Sequence, residues 1–438
     1  MESKVYIDPY PKTMKMLGLE RINIDCGNNT SIVTPANIAK DMVALLPDEV
    51  FIPESKFLDI CCKSGIFLTS IREKLMNSKA MIESFPDDKE RYKYITNNQL
   101  FGIAPNGQCQ MYSVRAVYGT LKVDNPHILC FGVFDQYKTA CLNNNHKMLI
   151  DEMKKEFGQM KFDVVIGNPP YNNDIYLDFV TLGHTLASKY DCWITPAKWQ
   201  AKGGAKNEDF RKNIVPYMSK IVYYPNSGDV FDIIEKSGIS CYLISANKNI
   251  NKTVIKNVDK FEKHPGFNSD FEIWGGYTLY NQKVASIINK CNGRVNNIKL
   301  NFKDHNKYNV IGTLMLSFGG GSNRKTMWST TGTLNAISEL KIVHQKNLDS
   351  YGNNFKYYYC NSDIKKCESF ISYCNTRIIR FLVFIGCCGD SISNTETWRF
   401  VPAPEAFDHI FTDEELYKKY NLTDEEINII ESVIKERK

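Results

Sequence analysis

The run Phe162-Asp163-Val164-Val165-Ile166-Gly167, followed directly by Asn168-Pro169-Pro170-Tyr171, constrains the fold more than any other stretch of this chain. A short apolar segment ending in Gly predicts a strand buried on both faces, and such strands belong in parallel sheets. The polar tetrapeptide then sits at the strand's carboxyl end, the edge where open α/β sheets place their ligands. Two successive prolines fix φ and stiffen the turn. The Asn168 carbonyl and the carbonyl of Pro169 can then converge on one small donor, and Tyr171 supplies a flat face. Two rigid acceptors beside a stacking platform suit an exocyclic amino group on a planar ring. Accepting both N–H bonds localises the nitrogen lone pair, which lets a poor nucleophile attack an activated methyl group.

The surrounding pattern predicts a doubly wound, mainly parallel sheet. Strand-like runs at Phe57–Cys61, Leu100–Ala104 and His127–Phe131 precede this segment, with helix-like or loop stretches between them. Further runs at Cys192–Ile194, Ile221–Tyr224 and Ile239–Ile244 follow it. Around Ser245–Lys263 the rhythm lapses into Asn- and Lys-rich sequence, which reads as a linker. The second half has no βαβ rhythm. It carries a Gly-rich loop (Gly319–Lys325), an aromatic run (Tyr357–Tyr359) and a helical pattern over Cys367–Phe384. Thr412…Glu415 and Thr423…Glu426 each have the spacing of a capping box that opens a short helix. The Gly319–Lys325 loop lacks the spacing of a phosphate-binding loop, so nucleotide hydrolysis is not expected.

At 438 residues the chain is long enough for two domains with real cores. The longest apolar runs, such as Ile378–Ile385, are far too short to span a bilayer. The amino terminus, Met1-Glu2-Ser3-Lys4, has no signal-peptide pattern. The 14 cysteines form no CxxC pairs with zinc spacing, so a reduced cytoplasmic chain is the simplest account. Cys360, Cys367 and Cys374 recur at helical spacing and are expected as a buried stripe. Charge is divided unevenly: residues 251–400 hold 20 Lys and Arg against 11 Asp and Glu, whereas residues 1–250 hold 29 against 28. Residues 401–438 hold 5 against 10, so the basic excess sits in the middle of the second half, which suits a polyanionic partner.

Upstream, Thr34-Pro35 and the helical pattern Ala36–Leu46 precede Phe57-Leu58-Asp59-Ile60-Cys61-Cys62-Lys63-Ser64-Gly65. An acid at a strand end, then a tight Gly turn, then a helix can hold an ammonium group while the turn lets backbone approach the ligand. The order threonine-proline, glycine turn, second strand and NPPY resembles the gamma class of N6-adenine DNA methyltransferases, which use S-adenosylmethionine (SAM). Ile175–Phe179 is similar to that class's helix whose Phe packs on the SAM adenine. Trp193–Trp199 resembles its strand followed by TPxxW. Asp229-Val230-Phe231 matches the site whose ring contacts a flipped base opposite the NPPY tyrosine. Within the class, Trp398–Pro402 and Thr412–Lys419 look most like the Eco57I-type group.

The resemblance implies a Rossmann-like SAM-dependent methyltransferase domain over residues 1–250 and a C-terminal α+β target-recognition domain over 255–438. It implies SAM as cofactor, held by Thr34, Asp59, Cys61, Gly65, Ile103 and Phe179. Catalysis would fall to Asn168, Pro169, Pro170 and Tyr171, with the base sandwiched by Tyr171 and Phe231. Arg324, Lys325, Lys341 and Lys346 would meet DNA phosphates. The expected setting is a cytoplasmic, nucleoid-associated enzyme of a bacterium or phage. It would act on double-stranded DNA as a restriction-modification, phage or orphan modification enzyme, and any cleavage would come from a separate restriction endonuclease, since no nuclease or helicase pattern is visible. The chain departs from the wider class where Lys63 replaces a Gly, where Ala104 replaces an acid, and where Cys130–Val133 offers no acid. Methylation of ribosomal RNA or a protein glutamine, and a non-catalytic DNA-binding subunit, are the alternative readings.

Overall fold

The computed structural model describes residues 24–25, 30–119, 126–130, 146–248 (short stretches at 160, 201–203, 225–226, 232, 234 and 236 apart), 253–257, 272–274, 278–280, 282–291, 298, 300, 310–314, 340–344, 356–386 and 395–437 without 435. The main sheet has eight strands: β1 (Phe57–Asp59), β2 (Leu100–Ala104), β3 (Ile128–Cys130), β4 (Phe162–Gly167), β5 (Ala187–Pro196), β6 (Met218–Tyr224), β7 (Ile239–Ser245) and β8 (Val254–Asn257). Their spatial order is β8-β6-β7-β5-β4-β1-β2-β3. All neighbours run parallel except β7, which is antiparallel to both β5 and β6. The chain builds outward from β1 to β3, then returns to β4 on the other side of β1. That reversal makes the β1/β4 boundary the topological switch point of the sheet.

Alternate residues of the strands face opposite layers, as the pleat requires. Phe57, Val164, Ile166, Cys192 and Ile194 join a buried cluster with helices α1 (Ala36–Leu45), α2 (Ile66–Met76) and α5 (Gly107–Tyr118). Between α2 and β2 lie α3 (Lys79–Ser84) and α4 (Asp88–Asn98). Leu58, Val165, Trp193 and Tyr242 join a second cluster with α6 (His146–Phe157), α7 (Tyr176–Leu186) and α8 (Ala205–Asn213). The sheet is therefore covered on both faces, as expected of a doubly wound fold.

In the second half, β9 (Glu272–Trp274) pairs with β10 (Thr278–Tyr280), and β11 (Val310–Leu314) lies antiparallel between β12 (Leu340–His344) and β13 (Lys356–Asn361). Helices α9 (Gln282–Cys291), α10 (Ile364–Asn375), α11 (Arg377–Gly386), α12 (Asp413–Lys419) and α13 (Asp424–Val433) accompany them. Their buried residues, among them Val284, Ile287, Phe370 and Ile378, belong to the same apolar cluster as the α7 side of the main sheet.

Three expectations are corrected. The helix over Cys367–Phe384 is two helices, because Thr376 leaves α10 with an extended ψ of 147°. Its hydroxyl turns back to the Tyr373 carbonyl at 2.8 Å. Cys360 is on strand β13, so only Cys367 and Cys374 share a buried helical stripe. The Asn/Lys-rich stretch after Ser245 is not all linker, since Val254–Asn257 adds an edge strand beside β6. Thr423 and Glu426 form a complete capping box. Thr412 caps the Glu415 N–H at 3.2 Å, but the Glu415 carboxylate goes to His409 instead. Tyr359 packs in the C-terminal core, stacked on Phe370 at 4.9 Å between ring centroids.

Candidate active site at the sheet switch point

β1 and β4 run side by side with Asp59 paired to Ile166, so Asp59 and Asn168 emerge from adjacent strand ends. Thr34, just before α1, closes the same corner. The Asn168 Nδ2 donates to Thr34 Oγ1 at 3.0 Å, although the two residues are 134 positions apart. Thr34, Asp59, Cys61, Gly65 and Asn168 line one cavity, which Lys63, Ser64, Ile66 and Phe67 complete. Gly65 is required there by conformation and by space. Its φ is +75°, and a Cβ would stand 3.2 Å from the Ser113 backbone and from the Ala116 Cβ of α5.

Asp59 is 1 % exposed. Its carboxylate accepts the Cys61 N–H at 3.0 Å. Burial pushes its carboxyl up to about 7, with the Cys61 N–H, the Cys62 thiol and Lys63 pulling the other way. A carboxylate so placed is poised to take a cation. Lys63, on the same cavity wall, donates its Nζ to the Ile32 carbonyl at 3.3 Å.

Asn168 is 3 % exposed, and its Oδ1 is buried without a hydrogen-bond partner. The Thr34 contact holds the amide so that this acceptor is left over. Burying an acceptor unpaired costs about 1–3 kcal/mol, so the atom is set up for a donor that arrives from outside. The Tyr171 hydroxyl is buried and unpartnered too, and desolvation pushes its phenol well above the ordinary range. The Tyr171 ring meets Phe231 at 6.4 Å and 67°, and Tyr176 at 6.5 Å and 78°. Tyr171 and Phe231 thus come together as expected. They touch edge to face, however, rather than standing as parallel plates around an open slot.

Beneath the turn, the Trp193 ring lies where a Cβ on Gly167 would be 3.1 Å away, and one on Gly183 would be 2.1 Å away. Trp193 Nε1 donates to Asp191 Oδ2 at 2.7 Å, and Asp191 Oδ1 meets His184 Nδ1 at 2.9 Å. Burial raises the Asp191 carboxyl, while His184 opposes that. The sequence pattern marked Trp193 only as part of a strand. Its role as the floor under Gly167 depends on the two glycines, 16 residues apart, facing one ring.

Two other expected cofactor residues do not line this cavity. Ile103 and Phe179 are 1 % and 0 % exposed and lie in the core cluster with Leu58, Ile60 and Cys61. Ala104 is fully buried at the end of β2. Arg324, Lys325 and Lys346 lie outside the described residues, as does the Gly319–Lys325 loop. Lys63, Ser64, Ile66 and Phe67 were missed as lining residues, although the turn motif that contains or precedes them was readable.

Residues 98–173, from the end of α4 through the NPPY turn, match the family model described as Eco57I restriction-modification methylase. A protein of Mycoplasma pneumoniae described as an uncharacterized adenine-specific methylase is 26 % identical over 312 residues. The match covers 55 % of this chain and 72 % of that protein. Both likenesses are to methylases, one of the Eco57I restriction-modification type and one adenine-specific. Among solved structures, a modification subunit of a putative type I restriction enzyme from Vibrio vulnificus is similar at 13 % identity and a TM-score of 0.40. It covers 57 % of this chain, and the chain spans about half (52 %) of that protein. The M protein of the type I restriction enzyme EcoKI is similar at 11 % identity and a TM-score of 0.38, covering 78 % of this chain and 68 % of that one. Among the described residues no helix is long and apolar enough to cross a membrane.

Proposed function

We propose that this chain transfers a methyl group from SAM to N6 of an adenine turned out of duplex DNA. The observation that carries the reading is the buried, unpartnered Oδ1 of Asn168 at the switch point of the sheet. Bound in the adjoining cavity, SAM would supply an electrophilic methyl group on a sulfonium. The residues fit that group at its amino-acid end: Asp59 offers a buried carboxylate for the ammonium, Thr34 a hydroxyl, and Gly65 a backbone with no side chain in the way.

Asn168 Oδ1 would accept one N–H of the adenine amino group, and the Pro169 carbonyl the other. Both bonds hold the nitrogen lone pair off the ring and aimed at the methyl carbon. Methyl transfer from SAM would form the N–C bond at the expense of the C–S bond, and the methylated nitrogen would then shed a proton to water. In the duplex adenine N6 is hydrogen-bonded to thymine and cannot offer both N–H groups to these acceptors, so the base has to leave the stack, at a cost of a few kcal/mol. Stacking on Tyr171 would return roughly 1–3 kcal/mol. Because Tyr171 and Phe231 are in contact, the incoming base displaces the Phe231 ring before both rings can hold it.

The domain division continues this reading. The expected residues 1–250, extended through β8 to 257, form the catalytic part, and the remainder of the expected 255–438 part reads the target through the basic surplus before residue 400. Arg324, Lys325, Lys341 and Lys346 are assigned to phosphate contact, and DNA cleavage to a separate chain. Incubation with methyl-labelled SAM and unmethylated duplex DNA, followed by nucleoside analysis, tests the function. Label in N6-methyladenine is expected. Label that enters only ribosomal RNA or protein, or SAM binding without any transfer, would overturn it.

A further inference from the structure

Two opposite charges line the cavity without neutralising each other. Asp59 is anchored by the Cys61 N–H, and Lys63, 9 % exposed, by the Ile32 carbonyl. Among the described residues neither has an ion-pair partner, and they are not within ion-pair distance of one another. Withdrawing an unpaired ammonium and an unpaired carboxylate from water is costly. Stability alone would favour joining them or replacing Lys63 with an apolar side chain. The first turn of α2 opens on the same space through Gly65, Ile66 and Phe67, and its positive dipole end adds to the Lys63 side of the cavity.

From this arrangement we infer that Lys63 binds the α-carboxylate of the cofactor's amino-acid end while Asp59 binds its α-ammonium, so that the cavity recognises a zwitterion at two charged points. The inference rests on the reading of the cavity as the SAM site. It also gives the Lys-Ser-Gly turn a purpose. Gly at position 63 would leave the carboxylate to backbone N–H groups, whereas Lys63 adds a full positive charge. With no acid at Ala104 and none on Cys130, more of the affinity then falls on the amino-acid end, where Lys63 stands.

The test compares two ligands on two proteins by calorimetry, without turnover. S-adenosylhomocysteine carries the α-carboxylate, and its α-carboxamide has the same shape without the negative charge. The full-length wild-type chain is expected to bind the acid about 10- to 100-fold more tightly than the amide, the range for a charge-assisted bond. Lys63→Met is expected to lose most of that preference, keeping only what the backbone N–H groups and the α2 dipole supply, with its affinity for the amide within about threefold of wild type. Amide binding by the variant also proves that it is folded. Lys63→Met preferring the acid as strongly as wild type would overturn the inference, as would a wild-type protein that does not distinguish the two ligands. A wild-type protein that binds neither would overturn the cofactor reading itself, a separate result.

Discussion

Asp59 at the end of β1 and Glu426 at the start of α13 are both withdrawn from solvent, 1 % and 5 % exposed, yet their surroundings differ. Glu426 is saturated. It accepts from Ser286 Oγ at 2.6 Å, Lys290 Nζ at 2.7 Å and the Thr423 N–H at 2.8 Å. Desolvation raises its carboxyl, but Lys290, Ser286 and Thr423 outweigh that and hold it below the ordinary range. Asp59 receives one backbone N–H and the Cys62 thiol, and burial wins, up to about 7. The first carboxylate joins α9 to α13 and is finished. The second is left short of partners, beside an Asn168 oxygen and a Tyr171 hydroxyl that have none. A polar group buried without a partner calls for an explanation, and beside this cavity the proposed ligand is that explanation.

Substitution should move the two sites in opposite directions. Glu426→Ala strips Lys290, Ser286 and Thr423 of their shared acceptor. It should lower stability by about 2–3 kcal/mol in denaturant unfolding; a loss under about 0.5 kcal/mol would break the contrast. The Glu426 contribution is present above its ordinary value of 4.5 and should fade as pH falls through its lower folded value. Asp59→Asn should instead raise stability, by about 1–2 kcal/mol above pH 7. Folding favours the protonated acid there, so the cost of the charge is absent near 3.8 and complete above about 7. The gain should therefore vanish near pH 4, and an equal gain at both pH values would show that the charge is not its source.

Ligand binding carries the same sign. An ammonium needs the ionised acid, so S-adenosylhomocysteine affinity should be flat above about pH 7 and fall below it. Asp59→Asn should bind weakly and lose that slope, which titrations at three pH values would reveal. The smallest effect compares the two helix caps. Thr423→Ala breaks a reciprocal box and should cost about 1 kcal/mol. Thr412→Ala removes a single bond and should cost about 0.5 kcal/mol. Equal thermal shifts would show that the Glu426 side chain adds nothing to its box.

Much of the sheet was legible because buried parallel strands are written as apolar runs bounded by turns. Leu100–Ala104 and Phe162–Gly167 match their expected limits, and the others differ mainly at their ends. Val254–Asn257 was hidden because an edge strand in Asn- and Lys-rich sequence has no continuous apolar signature. Thr376 split an expected helix without a Gly or Pro to announce it. At the site, the motif residues Thr34, Asp59, Gly65 and Asn168 proved to line one cavity. What they bring together was not legible. The Thr34–Asn168 hydrogen bond, the edge-to-face meeting of Tyr171 with Phe231 and the Trp193 floor all depend on packing between distant segments. Lys63 stood out in sequence only as a departure, and its place beside Asp59 becomes meaningful in three dimensions.

The most direct test of the central claim is to measure methyl transfer and S-adenosylhomocysteine affinity in parallel for Asn168→Ala. Removing the unpartnered oxygen should cut single-turnover transfer to adenine by about 10²- to 10³-fold or more, the scale for one preorganised polar contact at a reacting group. Affinity for S-adenosylhomocysteine should stay within about threefold of wild type, a change of under 1 kcal/mol. Equal loss of both would mean that Asn168 holds the cofactor or the fold, and would contradict its assignment as the acceptor for the target amine.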